Sequence, residues 1–188
     1  MAGLVCGCWG CVVTDKISFP TEPDIPPMIL DAPATDTPIG TTLWVNKATR
    51  TEVRLPVQVR EDNLTEPLDA HWRVLTAGND APPFEVLPLS LGQLLRDLDV
   101  VVQTSSLHTG ECHHVELAVS GHFFPNTKPA FFDLAPSDDE VAHASWTIWE
   151  GRGEAQATPE EKAKLIDSCN AIESLLTPAM STSTPVTP

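Results

Sequence analysis

Cysteine, histidine and carboxylate side chains are the groups here that could do chemistry, and they fall into a few clusters. Cys6, Cys8 and Cys11 form a C-x-C-x-x-C run, a spacing that lets three thiolates approach one soft ion. No fourth ligand stands nearby, since Asp15 is a hard oxygen donor and the histidines are remote; unmodified thiols are the plain alternative. Cys112, His114 and Glu116 alternate along one stretch. On a strand they share a face, where a thiol, an imidazole and a carboxylate could chelate zinc; the simpler reading is polar residues beside a turn, with His122 adding little. Glu61, Asp62 and Asn63, followed by Glu66 and Asp69, and a second group around Asp133, Asp138, Asp139 and Glu140, offer oxygens of the kind calcium takes. Neither group has the ligand spacing or central glycine of an EF-hand loop, and solvated loop charge is the ordinary reading. We expect no bound metal and no other cofactor.

Hydrolytic chemistry has its residue types but not its motifs. Ser, His and Asp are all present, yet no G-x-S-x-G turn occurs. Paired carboxylates for glycosidic cleavage are a matter of spatial separation and leave no linear signature. Trp44 and Trp149 could offer stacking faces to a sugar, although Trp149 also suits the end of a packed sheet. We expect a non-catalytic protein.

The start of the chain resembles a bacterial lipobox. Val5 stands at −3, Gly7 at −1 and Cys8 at the position that receives the lipid; Cys6 and Cys11 fit this pattern less well. An upstream start is expected to supply the basic and apolar segments that normally precede such a box. The resemblance implies lipidation at Cys8, export, and a membrane contact through the lipid. Trp9, in place of aspartate after the cysteine, implies the outer membrane of a bacterial envelope, with the domain periplasmic or surface-exposed. Residues 1–8 are then the end of a signal peptide. Residues 9–37 read as a tether, because Pro20, Pro23, Pro26, Pro27 and Pro33 interrupt an acidic stretch, and proline favours extended, solvated backbone.

Charge and length limit the remainder. The 188 residues carry 26 acidic and 11 basic side chains, a formal charge of −15. Such a surface repels a phosphate backbone, so nucleic acid is not a partner. No apolar run reaches the roughly 20 residues of a spanning helix. The length suits one domain with tails.

From residue 38 to about 154 the sequence has the period of strands. Val53, Leu55, Val57 and Val59 alternate with Arg54, Gln58 and Arg60; Ala70, Trp72 and Val74 with His71 and Arg73; Leu98, Val100 and Val102 with Asp99 and Gln103. His113, Val115, Leu117 and Val119, and later Ala144, Trp146 and Ile148, repeat the pattern. With Thr42–Val45 and Phe84–Leu87, about seven short strands separated by turn residues predict an all-β, antiparallel sandwich. Met28–Leu30, after two prolines, is expected as an edge strand, Pro56 as an unpaired or bulged point, and Leu89–Leu95 as a single helical turn. The predicted core holds Val57, Val59, Trp72, Leu117 and Trp146.

The run Leu55–Asp62, then Glu66–Trp72, resembles the second and third strands of immunoglobulin-like and PKD-like domains, in which an acidic loop leads to a buried tryptophan. Gly110–Ser120 resembles their penultimate strand, so the likeness covers about residues 52–121. The antibody cysteine pair is replaced by Val57 or Val59 and Leu117, and the corner tyrosine is absent. The resemblance implies a binding or spacer fold with a protein partner and no chemistry of its own. A module for carbohydrate or peptidoglycan that uses exposed aromatics is the alternative, with a metal-binding or hydrolytic protein behind it.

Residues 155–177 predict a helix. Thr158 caps it, Pro159 takes the first position and Glu161 can close a capping box; Leu165, Ile166, Cys169, Ile172 and Leu176 form an apolar face. Residues 178–188 are a Ser/Thr/Pro tail expected to be disordered. If Cys8 carries lipid, the mature chain keeps Cys11, Cys112 and Cys169. An oxidising compartment then favours a Cys112–Cys169 disulfide, with a buried free Cys169 as the alternative.

Overall fold

A computed structural model describes residues 25–77, 85–121 and 141–176. Eight strands and one helix follow the periodicities above: β1 Met28–Asp31, β2 Thr42–Val45, β3 Glu52–Arg60, β4 Asp69–Thr76, β5 Glu85–Pro88, β6 Leu95–Gln103, β7 Cys112–Ser120, β8 Ala142–Glu150 and α1 Pro159–Leu176. They form a three-stranded sheet ordered β1-β3-β6 and a five-stranded sheet ordered β2-β8-β7-β4-β5. β1, β3 and β6 stand where strands A, B and E of an immunoglobulin domain do, and β4, β7 and β8 where C, F and G do. The protein is an immunoglobulin-like β-sandwich with a helix packed on it.

The sandwich is not wholly antiparallel, as the sequence suggested. β2 runs parallel to β8, with Leu43 opposite Ile148 and Val45 opposite Glu150. The cause lies between β1 and β2, where the chain leaves one sheet for the other. Asp31 Oδ1 accepts the Ile39 N–H at 2.7 Å, and Thr37 Oγ1 donates to the Arg54 carbonyl. The strand thus crosses over without reversing and joins the last strand in its own direction.

The inward rows of the two sheets make one core. Val53, Leu55, Val57 and Val59 of β3 and Leu98, Val100 and Val102 of β6 meet Ala70 and Trp72 of β4, Val115, Leu117 and Val119 of β7, and Trp146 and Ile148 of β8. Side chains alternate across a strand, so a period of two in the sequence becomes one buried face. Trp146 Nε1 donates to the Thr37 carbonyl at 3.1 Å, whereas the buried Trp72 Nε1 has no hydrogen-bond partner.

One local expectation is narrowed, since Pro56 is an unpaired and not a bulged point, and another changes. β3 and β6 stay in step from Glu52–Gln103 to Arg60–Leu95, so Pro56 makes no bulge. It lies just beyond the last β1 pair, Asp31 with Val57, where no strand flanks it on that side. The helical spacing of Leu89–Leu95 is not realised either. Leu89 N–H donates to the Leu68 carbonyl and Gly92 N–H to that of Leu64, so the neighbouring loop takes the amides that a turn would have used, and Leu95 already belongs to β6.

Candidate functional site

The outer face of the five-stranded sheet carries the most densely arranged chemistry in the described residues. The register sets Cys112 opposite Trp149, His114 between Leu75 and Thr147, Glu116 between Arg73 and Ser145, and Ala118 between His71 and His143. At one end of this face lies α1. Thr158 and Glu161 start it as a reciprocal capping box: Glu161 Oε2 accepts the Thr158 N–H at 2.8 Å, and Thr158 Oγ1 accepts the Glu161 N–H at 3.2 Å.

Cys112, the first residue of β7, is disulfide-bonded to Cys169 of α1, with Cα atoms 5.1 Å apart. The Cys112 N–H also donates to Ser168 Oγ. Leu165, Ile172, Leu75 and Trp149 close over the bond, with Trp44 and Ala77 at the margin. The buried stripe on the helix is therefore Leu165–Cys169–Ile172, spaced four and three residues apart. Ile166, expected on that face, is rotated away and 57% exposed. The Leu176 side chain lies outside the described residues.

Of the two tryptophans that could have offered a sugar a stacking face, Trp149 is taken into this packing and Trp44 lies half-buried at its margin. Trp149 is buried beneath α1, and Trp44 meets it edge to face at a centroid distance of 4.4 Å. A ring whose face is taken by a helix and a second indole has none to offer a pyranose.

Beyond the disulfide, Arg73 Nε donates to Glu116 Oε2 at 2.9 Å, both side chains almost fully removed from water. Burial pushes the Glu116 carboxyl above its usual range, and the Arg73 guanidinium pulls it partly back. Alternation along the strand sets Arg73 only on the parity opposite Ala70 and Trp72. Nothing in a single strand's pattern shows that the facing strand brings a carboxylate to it.

These bonds dispose of the zinc candidates. Cys112 has its sulfur in a disulfide and Glu116 binds Arg73, so with His114 they share a face but not a free ligand set. His113, the second residue of β7 and on the opposite parity, is fully buried. Its Nδ1 is 2.8 Å from Thr76 Oγ1, and its Nε2 is 3.0 Å from the His108 nitrogen and 3.2 Å from the His108 carbonyl. Burial holds this ring below its ordinary titration range, with the His108 carbonyl pulling the other way.

The calcium candidates lie at the opposite end of the sandwich. Glu61 is buried, and its Oε1 accepts the Asn63 N–H at 2.7 Å. Asn63 Oδ1 accepts from Thr65 N–H and Oγ1, and Asp62 pairs with Arg60. Most of these contacts staple the loop itself, while Glu61 Oε2 is buried with no hydrogen-bond partner. Arg96, buried in the inward row of β6, donates to the carbonyls of Gln93 and Glu66 and sets a cation beside them. Among the described residues no three His, Cys, Asp or Glu side chains converge as a metal would require. Cys6, Cys8, Cys11, His122 and the acidic group from Asp133 to Glu140 lie outside the described residues.

No family model matches the sequence, and no curated protein does. Among solved structures, the chain is similar to the apo form of the Calx CBD1 domain, with a TM-score of 0.33 and 11% identity over 66% of this chain and 96% of that one. It is also similar to an LPMO from Kitasatospora papulosa, with a TM-score of 0.30 and 10% identity over 60% of this chain and 52% of that one. The fold assignment rests on strand order and register, and neither likeness transfers a ligand or an activity.

Proposed function

We propose that this chain is an exported, lipid-anchored protein of a bacterial envelope whose sandwich is a non-catalytic module for binding a protein partner or spacing it from the membrane. The observation that carries the reading is the Cys112–Cys169 disulfide. Such bonds persist in oxidising compartments and are rare in a reducing cytosol. The Val5-x-Gly7-Cys8 pattern and the proline-interrupted stretch behind it supply the anchor and the tether. The non-catalytic part of the reading draws on the outer sheet face, where Arg73, Glu116 and Cys112 engage one another or α1. Burial of Trp149 under α1 weighs against the glycan-binding alternative.

The test is expression in a bacterial host with the native upstream sequence, followed by mass spectrometry of the N-terminal peptide. A mature chain beginning at lipid-modified Cys8 is expected, and Cys8→Ser should move the protein from the membrane to the soluble fraction. An unmodified peptide running through Gly7 would defeat the anchor.

A further inference from the structure

The two ends of the sandwich differ in what they show to water. At the end opposite α1, β1 and β6 begin and β3 ends, and the register sets Met28 and Leu95 on either side of Arg60 in one outward row. Glu61 N–H donates to the Leu94 carbonyl and Gly92 N–H to the Leu64 carbonyl, which brings the 61–66 and 89–94 loops together at the tip. Leu64, Leu91, Leu94, Leu95, Met28 and Ile25 are each 44% to 58% exposed. Of the exposed large hydrophobics in the described residues, only Val86 and Ile166 lie elsewhere. Scattered apolar side chains are ordinary on a surface, but a cluster at one tip marks a contact site.

The cluster also surrounds the place where the N-terminal stretch enters the domain, because Ile25 belongs to it and Met28 opens β1. Fully extended, the chain from Cys8 to Ile25 spans at most about 60 Å. That stretch enters the domain at this tip and not at the α1 end, so an anchor at Cys8 holds the domain from this side. The overall charge of −15 works against attraction to anionic headgroups, which favours apolar insertion as the mode of contact.

We propose that the Leu64–Leu91–Leu94–Leu95 tip is a membrane-contact surface that inserts its side chains into the interface of an uncharged or zwitterionic leaflet and seats the domain upright on its anchor. This rests on the lipoprotein reading for the anchor, but the contact can be tested without it. The full chain carrying Cys6→Ser, Cys8→Ser and Cys11→Ser and an N-terminal histidine tag would be held on phosphatidylcholine vesicles through a nickel-chelating lipid. An environment-sensitive fluorophore would be placed at Leu91→Cys or, as a control, at Ala163→Cys on the exposed side of α1. A blue shift and quenching by brominated acyl chains are expected for the probe at position 91 only. Combining that probe with Leu64→Ser, Leu94→Ser and Leu95→Ser should abolish both signals while the thermal midpoint shows the variant folded. A probe at 91 that stays in water, or equal signals at 91 and 163, would overturn the surface even if Cys8 proves lipidated. Loss of the signal to self-association, seen by analytical ultracentrifugation without vesicles, would overturn it in favour of a contact between copies.

Discussion

Arg73 and Glu116 occupy facing positions on β4 and β7 and meet at 2.9 Å with almost no solvent access to either side chain. The second carboxylate oxygen, Glu116 Oε1, is buried and has no hydrogen-bond partner. Desolvation of two charges offsets much of their attraction, so the pair's net contribution is small, whereas leaving either charge alone is costly.

Removing one partner should therefore do more harm than removing both. Arg73→Met or Glu116→Leu alone is expected to lower stability by about 3–5 kcal/mol, and the double variant to recover most of that loss. Urea denaturation of the four proteins measures it. Additive losses would mean that the two side chains are not coupled.

Opening the disulfide should loosen α1 before the sandwich. The bond spans 57 residues, and chain-entropy estimates for such loops run near about 4 kcal/mol. Cys112→Ser with Cys169→Ser is expected to cost stability on that order. Amide exchange should quicken in α1 and remain slow in β3 and β6. Unchanged exchange in the helix would show that Leu165, Ile172 and Trp149 hold it unaided.

The two core indoles should respond differently to the same substitution. Trp72→Ala is expected to cost about 3–5 kcal/mol as a large-to-small core change. Trp146→Phe strands the buried Thr37 carbonyl that the indole N–H now serves, while Trp72→Phe removes a donor that has no partner. Trp146→Phe should therefore cost about 1–2 kcal/mol more than Trp72→Phe. Equal midpoint shifts in denaturant would contradict this.

Acid should weaken the fold through the buried His113 and the half-buried His71. Burial lowers the His113 value, against the pull of the His108 carbonyl, and lowers that of His71, against the pull of Asp69. A base whose folded value is depressed takes up protons more readily when unfolded. Its contribution is complete above the unfolded value, near about 6.5, and is lost as pH falls from there through the folded value. Glu116 has the opposite sense. Its raised value makes its ionisation a growing cost as pH rises through the folded value, so protonating it relieves part of the loss in more acid solution. Midpoints measured between about pH 7.5 and pH 5.5 should fall with acid in the parent protein, and less steeply in His113→Gln. Identical slopes would remove His113 from the account.

Much of this protein was legible in its residues. Alternation at Val53–Val59, Leu98–Val102 and Val115–Val119 specifies strands with one buried face, because the side-chain period of a strand is two. Thr158-Pro159-Glu160-Glu161 specifies a helix start, because caps are satisfied within one turn. Both are local properties of backbone and near neighbours. The Cys112–Cys169 pairing was also within reach once the parity of Cys112 and the face of Cys169 were set side by side.

What the tertiary structure decided is which strand faces which. The parallel run of β2 beside β8, the Arg73–Glu116 pair, the indole of Trp44 against Trp149 and the leucine tip all join residues far apart in the chain. Periodicity tells a residue which side of its own strand it occupies but not what lies across from it. Only the register between strands, set by packing of the whole core, makes an outward-facing arginine into half of a buried ion pair and the Trp149 indole into the floor beneath a helix.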